Sequence, residues 1–168
     1  MRVATRALYR SRQFFGAVRP RIDAELQTEA FRLLSEPERR LFSMMTTRDR
    51  QHCLAVYARL RGQGDAGRDL LTAALLHDAG KGRIALWHRV AYVLLEAASP
   101  ALLRRLAKPG DGPGWRQALD RCHRHPELGA QLAEEAGSSG IAVALIREDS
   151  GHAPKELLAA LKAADEEA

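Results

Sequence analysis

The sequence predicts an all-α fold, a single-domain bundle of about eight helices, and three observations carry that reading. Ala, Leu, Arg and Glu dominate the 168 residues, and these are good helix formers. Aromatic residues make up only 5% of the chain and β-branched residues are scarce, which leaves little from which to build strands. Apolar residues recur at three- and four-residue spacing in segment after segment, with cap residues before them and glycines after. No internal repeat and no βαβ alternation interrupts this pattern.

The length suits one domain with a real core. With 46% hydrophobic and 28% charged residues, the balance is that of a soluble chain. The longest apolar stretch, 90–103, is broken by Glu96 and Pro100, so no transmembrane helix is expected. Cys53 and Cys122 lack CxxC spacing, which argues against a zinc ribbon or a disulfide framework and fits a reducing cytoplasm. The net charge of +5 is unevenly spread. Arg2, Arg6, Arg10, Arg12, Arg19 and Arg21 all precede the first acid, Asp23. Residues 1–21 therefore read as a basic N-terminal arm able to meet nucleic acid, acidic lipid or an acidic partner. The helical domain takes up 22–168. The arm also has the Arg-rich, acid-free look of an organellar transit peptide.

Taken in order, a short helix is possible over 8–15 within the arm. Ile22, Leu26, Ala30, Leu33 and Leu34 keep a helical period over 22–34. Ser35-Glu36-Pro37-Glu38 is a capping box and opens the next helix, which carries Leu41, Phe42 and Met45. Thr46 starts another that runs to about residue 60. Gly62, Gly64 and Gly67 mark a loop, and an apolar helix follows from Leu70. Over 83–97, Leu86, Val90, Val93 and Leu94 share one side. Ser99-Pro100 is a cap with a proline at the first helical position. Residues 108–114 form the clearest loop. Further helices are expected over 115–122, 126–136, 141–148 and 154–167.

The chemistry concentrates in Leu75-Leu76-His77-Asp78-Ala79-Gly80-Lys81-Gly82. An imidazole and a carboxylate stand side by side at the end of an apolar helix, with Gly80 and Gly82 as the stop signal. Adjacent helical residues point about 100° apart, so both can lean toward one ion beside the helix end. His52 lies on the preceding helix, and a helix hairpin through the Gly-rich loop would bring it near the pair. Mixed imidazole and carboxylate ligands suit a divalent transition metal: Mn, Fe, Co, Ni or Zn. Each residue alone also fits a plain structural role: His52 and His77 as helix residues, Lys81 as a solvent-facing terminus, His125 as a helix-capping side chain.

The string resembles the signature of the HD-domain metal-dependent phosphohydrolases, and Leu-Leu-His-Asp-Ala-Gly-Lys is similar to their HD-GYP subgroup. The resemblance covers about 48–166. It implies a helical bundle in which His52, His77, Asp78 and a distal aspartate, matched by Asp165 in Ala164-Asp165, hold a metal. The metal would activate water against a small phosphorylated substrate, with Asp78 at the centre of catalysis and Lys81 placed to meet a phosphate oxygen. His125-Pro126-Glu127-Leu128-Gly129-Ala130 is similar to the subgroup's His-Pro-x-x-Gly-Ala stretch and implies His125 as a ligand to a second ion. The subgroup's later His-His pair is replaced here by Glu148-Asp149, so Asp149, or His152 just beyond, would stand in. The Gly-Tyr-Pro motif is missing, and cyclic-dinucleotide binding is not implied. The alternative expectation is an HD-type module that has lost catalysis and serves to bind nucleic acid or a protein partner.

Overall fold

The computed structural model describes residues 22–64, 66–107 and 113–168; the basic arm at 1–21 and most of the 108–114 loop lie outside them. The described residues contain nine α-helices and no strand. They are α1 (Ala24–Leu33), α2 (Glu36–Met44), α3 (Thr47–Gly62), α4 (Arg68–Leu76), α5 (Leu86–Ala98), α6 (Pro100–Leu106), α7 (Gly114–Glu135), α8 (Gly140–Ile146) and α9 (Lys155–Glu167). A single 3₁₀ turn, Ala79–Lys81, follows α4.

The helix starts are set by local chemistry. Asp23 accepts from the amides of Glu25 and Leu26, Thr46 from Asp49, and Ser139 from Ala142, so orphan donors of each first turn are satisfied. Ser35 and Glu38 form the expected reciprocal capping box. Glu38 is itself buried, and its second oxygen accepts from the Ser138 hydroxyl at 2.8 Å. That bond ties α2 to the turn between α7 and α8.

The core is organised around α4. Leu70 and Thr72 through Leu76 are all buried, as expected of a helix covered on every side. It packs against α3, α8, α9, α2 and α1. The 3₁₀ turn that continues it lies on α7, and the approach is very close. A Cβ at Gly80 would overlap the His125 carbonyl oxygen and stand 2.5 Å from the Gly129 nitrogen, while one at Gly129 would meet Gly80 N at 3.3 Å. Two glycines are what let these backbones touch.

One expectation is corrected. Residues 115–122 and 126–136 are not separate helices but parts of one 22-residue helix, α7, which runs through Pro126. A proline removes one hydrogen bond from the helix interior; here the Cys122 carbonyl, left without a backbone donor, is taken by the His125 ring at 2.8 Å. The apolar side of α5 is not turned into the core. Trp87 and Leu94 are each 60% exposed and Val93 45%. The helix is held from its polar side instead, where Arg89 donates to both carboxylate oxygens of the buried Asp49, through Nη2 at 2.8 Å to Oδ2 and through Nη1 to Oδ1. Among the described residues no helix is long and apolar enough to cross a membrane.

The contact between Gly80 and α7 sets a stability test. Gly80→Ala forces backbone apart from backbone and is expected to cost about 3 kcal/mol of unfolding free energy, the upper range for overpacking. Gly62→Ala, which meets nothing within 4 Å, is expected to change stability by less than about 1 kcal/mol. Urea unfolding of the two variants checks both.

Candidate metal centre

His52 projects from α3, one turn beyond its start, and its Nε2 lies 2.7 Å from Asp165 Oδ1 on α9. The His52 and His77 rings meet edge to face, their centroids 5.4 Å apart. His77 Nε2 is 3.3 Å from the same Asp165 oxygen and 3.4 Å from Asp78 Oδ1. His125 Nε2 approaches Asp78 Oδ1 from α7 at 4.0 Å. Four remote segments thus bring His52, His77, Asp78, Asp165 and His125 to one place. Ligand atoms of His52, His77 and Asp78 all lie within 4.8 Å of one another.

Two of the rings are aimed by the main chain. The Ala74 carbonyl belongs to the last turn of α4 and has no helical donor; it accepts from His77 Nδ1 at 3.0 Å. A carbonyl only accepts, so Nδ1 carries a proton and Nε2 faces the cluster. The same logic holds for His125, whose Nδ1 donates to the Cys122 carbonyl freed by Pro126. This is the arrangement by which proteins orient metal-binding imidazoles.

The buried polar atoms supply the fit test. His77 Nε2 makes no well-aligned hydrogen bond, and Asp78 Oδ1 has none beyond its ion pair with Lys81; buried atoms of this kind favour a further partner. Both point into the shared space. A divalent cation accepts lone pairs from a donor set of this chemistry, so the residues present fit one.

The electrostatics agree. Burial works to raise the Asp78 carboxyl, but Lys81, His77 and His52 outweigh it and hold the group far below the usual carboxylate range. Asp165 is likewise held low: burial opposes, while the hydrogen bond from His52 and the charge of the nearby His77 ring prevail. Burial disfavours charge on His77, yet the carboxylates of Asp78 and Asp165 beside it raise its pKa well above the ordinary value. His125 moves the other way, lowered by burial and then by Lys81, so its ring is neutral at physiological pH.

The remaining expected residues are placed differently. Lys81 does not face open solvent; its ammonium sits 2.6 Å from Oδ1 and 2.7 Å from Oδ2 of Asp78, and this pairing raises its pKa despite burial. Asp149 is held by its own turn, accepting from the Gly151 amide at 2.9 Å and contacting His152 Nδ1 at 2.7 Å. Its carboxylate is engaged locally rather than with the imidazoles. Arg147 reaches toward Glu127 and Glu134 on α7.

Sequence reading missed two neighbours of the cluster. Cys53 is fully buried with its sulfur 3.8 Å from His77 Nδ1, and burial pushes its thiol up, so it is a neutral packing group. Arg121, four residues before His125 on α7, donates to the Gly80 carbonyl at 3.1 Å. It lines an open groove of about 520 Å³ together with Arg83, His88 and Arg124. The helical spacing of Arg121 and His125 was the available signal, hidden by splitting α7 at Pro126. Comparison of the chain with protein-family models, curated proteins and solved structures finds no match.

Ion capture competes with the proton on His77. The ring is charged up to its raised pKa and must be neutral to ligate, so capture releases a proton; Asp78 and Asp165 remain ionised throughout and add no pH dependence above acidic conditions. Apparent affinity for Mn²⁺ or Co²⁺ is expected to rise with pH across the neutral range, by up to about tenfold per pH unit while His77 is charged. Calorimetric titrations at several pH values, in buffers of differing ionisation enthalpy, check both the trend and the proton release.

Proposed function

We propose that this protein is a metal-dependent phosphohydrolase of the HD-domain type, acting on a small phosphate ester or nucleotide. One observation carries the reading: the convergence of His52, His77, Asp78 and Asp165 around His77 Nε2 and Asp78 Oδ1. These are the four residues that the HD resemblance implies, and they come from three separate parts of the chain.

One or two divalent ions, of Mn, Fe, Co, Ni or Zn, would be held by those four residues, with His125 available to a second. A bound ion supplies Lewis acidity toward a phosphoryl oxygen and lowers the pKa of water. The chain's own groups do the rest. Asp78 and Asp165 bring the negative charge that retains a cation. His125, kept neutral, presents Nε2 as a ligand or as a proton acceptor. Lys81 steadies Asp78 and leaves a fixed positive charge beside the place where a phosphate would lie. The groove with Arg83, Arg121 and Arg124 adds positive charge one helical turn from His125, which suits the anionic remainder of a substrate.

The contact of Lys81 with both Asp78 oxygens also supports a second reading, in which the lysine has replaced the ion and the protein is a non-catalytic HD-type module. Elemental analysis separates the two: near-stoichiometric metal in the purified protein favours the enzyme, none favours the module. For the enzyme, p-nitrophenyl phosphate, its diester or nucleotides are expected to be hydrolysed after loading with Mn²⁺, Co²⁺, Ni²⁺ or Fe²⁺. Asp78→Asn and Asp165→Asn are expected to lower kcat by more than about 100-fold, above the cost of losing a merely supporting contact. Absence of turnover with every metal and substrate would overturn it.

A further inference from the structure

The exposed side of α5 has no counterpart in the metal centre. Trp87, Val90, Leu94 and Ala98 recur at i, i+3, i+7 and i+11, one stripe of a helix. Val93 and Ala97 widen it. Its leading side chains are turned outward, with Trp87 and Leu94 each 60% exposed. On α6, Leu102 is 43% exposed and continues the apolar surface. Among the residues whose burial is described, none of α5 or α6 belongs to the main core cluster; the pair packs on itself and on α7. A contiguous apolar surface of this kind marks an interaction site.

The charges around it select the occupant. Arg83 lies just before α5, Arg104 and Arg105 close α6, and all three are exposed. Their charge opposes docking of residues 1–21, which carry six further arginines and no acid, and attracts an anionic bilayer. Such a bilayer also accepts a tryptophan and leucines at the boundary between headgroups and acyl chains, beneath a cationic rim. The arm has the same composition, since Leu8, Tyr9, Phe14 and Phe15 alternate with its arginines. Two weak cationic and apolar signals on one chain give reversible binding where either alone gives little.

We infer that the exposed α5–α6 face docks on an anionic lipid surface, assisted by the arginine-rich residues 1–21. Docking leaves the metal-centre residues themselves on other elements, and its test reads lipid binding rather than turnover.

Vesicle flotation of the full chain tests it, with phosphatidylcholine alone and with phosphatidylcholine mixed with phosphatidylglycerol. The protein is expected to float with the mixed vesicles at low salt, and roughly tenfold less with neutral ones or at high salt. Leu94→Glu and Trp87→Glu are expected to reduce partitioning at least about tenfold without altering the melting temperature, since both sites are exposed. In a Trp115→Phe background, Trp87 is the sole tryptophan, and its emission should shift to the blue on the mixed vesicles. No flotation, or flotation indifferent to Leu94→Glu, would overturn the inference. So would a concentration-dependent dimer in sedimentation that Leu94→Glu dissolves, which would make the face a self-interface, or equal salt-sensitive retention of wild type and Leu94→Glu on nucleic acid with no vesicle binding.

Discussion

A buried negative charge governs this structure. Asp78 is 2% exposed, and an isolated carboxylate in such a place would protonate or unfold its surroundings. It stays ionised because Lys81, His77 and His52 stand beside it. Those groups come from α3 and from the end of α4 with the turn that follows, so satisfying one carboxylate draws two elements to one point. Packing supplies the means. The fully buried α4 aims the turn, and the contact of Gly80 with Gly129 allows that turn to lie directly on α7.

Both glycines stand in the two strings that drew attention in the sequence, His-Asp-Ala-Gly-Lys and His-Pro-x-x-Gly-Ala. Their meeting in space explains why each string holds a glycine where it does. What joins them is a steric requirement of two backbones, and the imidazole of His125 arrives beside Asp78 as a result. The cluster is therefore less a set of ligands placed one by one than the consequence of one tight crossing.

Much of this was legible in the residues themselves. Ser35, Thr46 and Ser99 mark true helix starts because capping is a local hydrogen-bond problem, solved within four residues. His52, His77, Asp78 and Asp165 were picked out through the resemblance to the HD signature, and the structure brings them together. The failures came where distant partners decide. Pro126 reads as a helix start because the lost hydrogen bond is visible in sequence, whereas the ring that replaces the missing donor is not. Val93 and Leu94 read as one apolar side, but periodicity does not say what covers such a side, and the ion pair between Arg89 and Asp49 holds α5 by its other side. Asp149 was set as a ligand by its place in a string, yet its nearest groups, Gly151 and His152, claim it first. The contact of Lys81 with Asp78 lay only three residues apart, but whether a lysine turns inward depends on the burial of its partner.

Pro126 has one more consequence. A helix normally spends every interior carbonyl on itself, and α7 omits one such bond at Cys122. The vacancy becomes a hinge pin for an aromatic ring, as the frayed end of α4 does for His77. Both rings are thus ordered when the chain folds, and a guest arriving at the cluster meets a preorganised mould whose entropic cost has been met in advance.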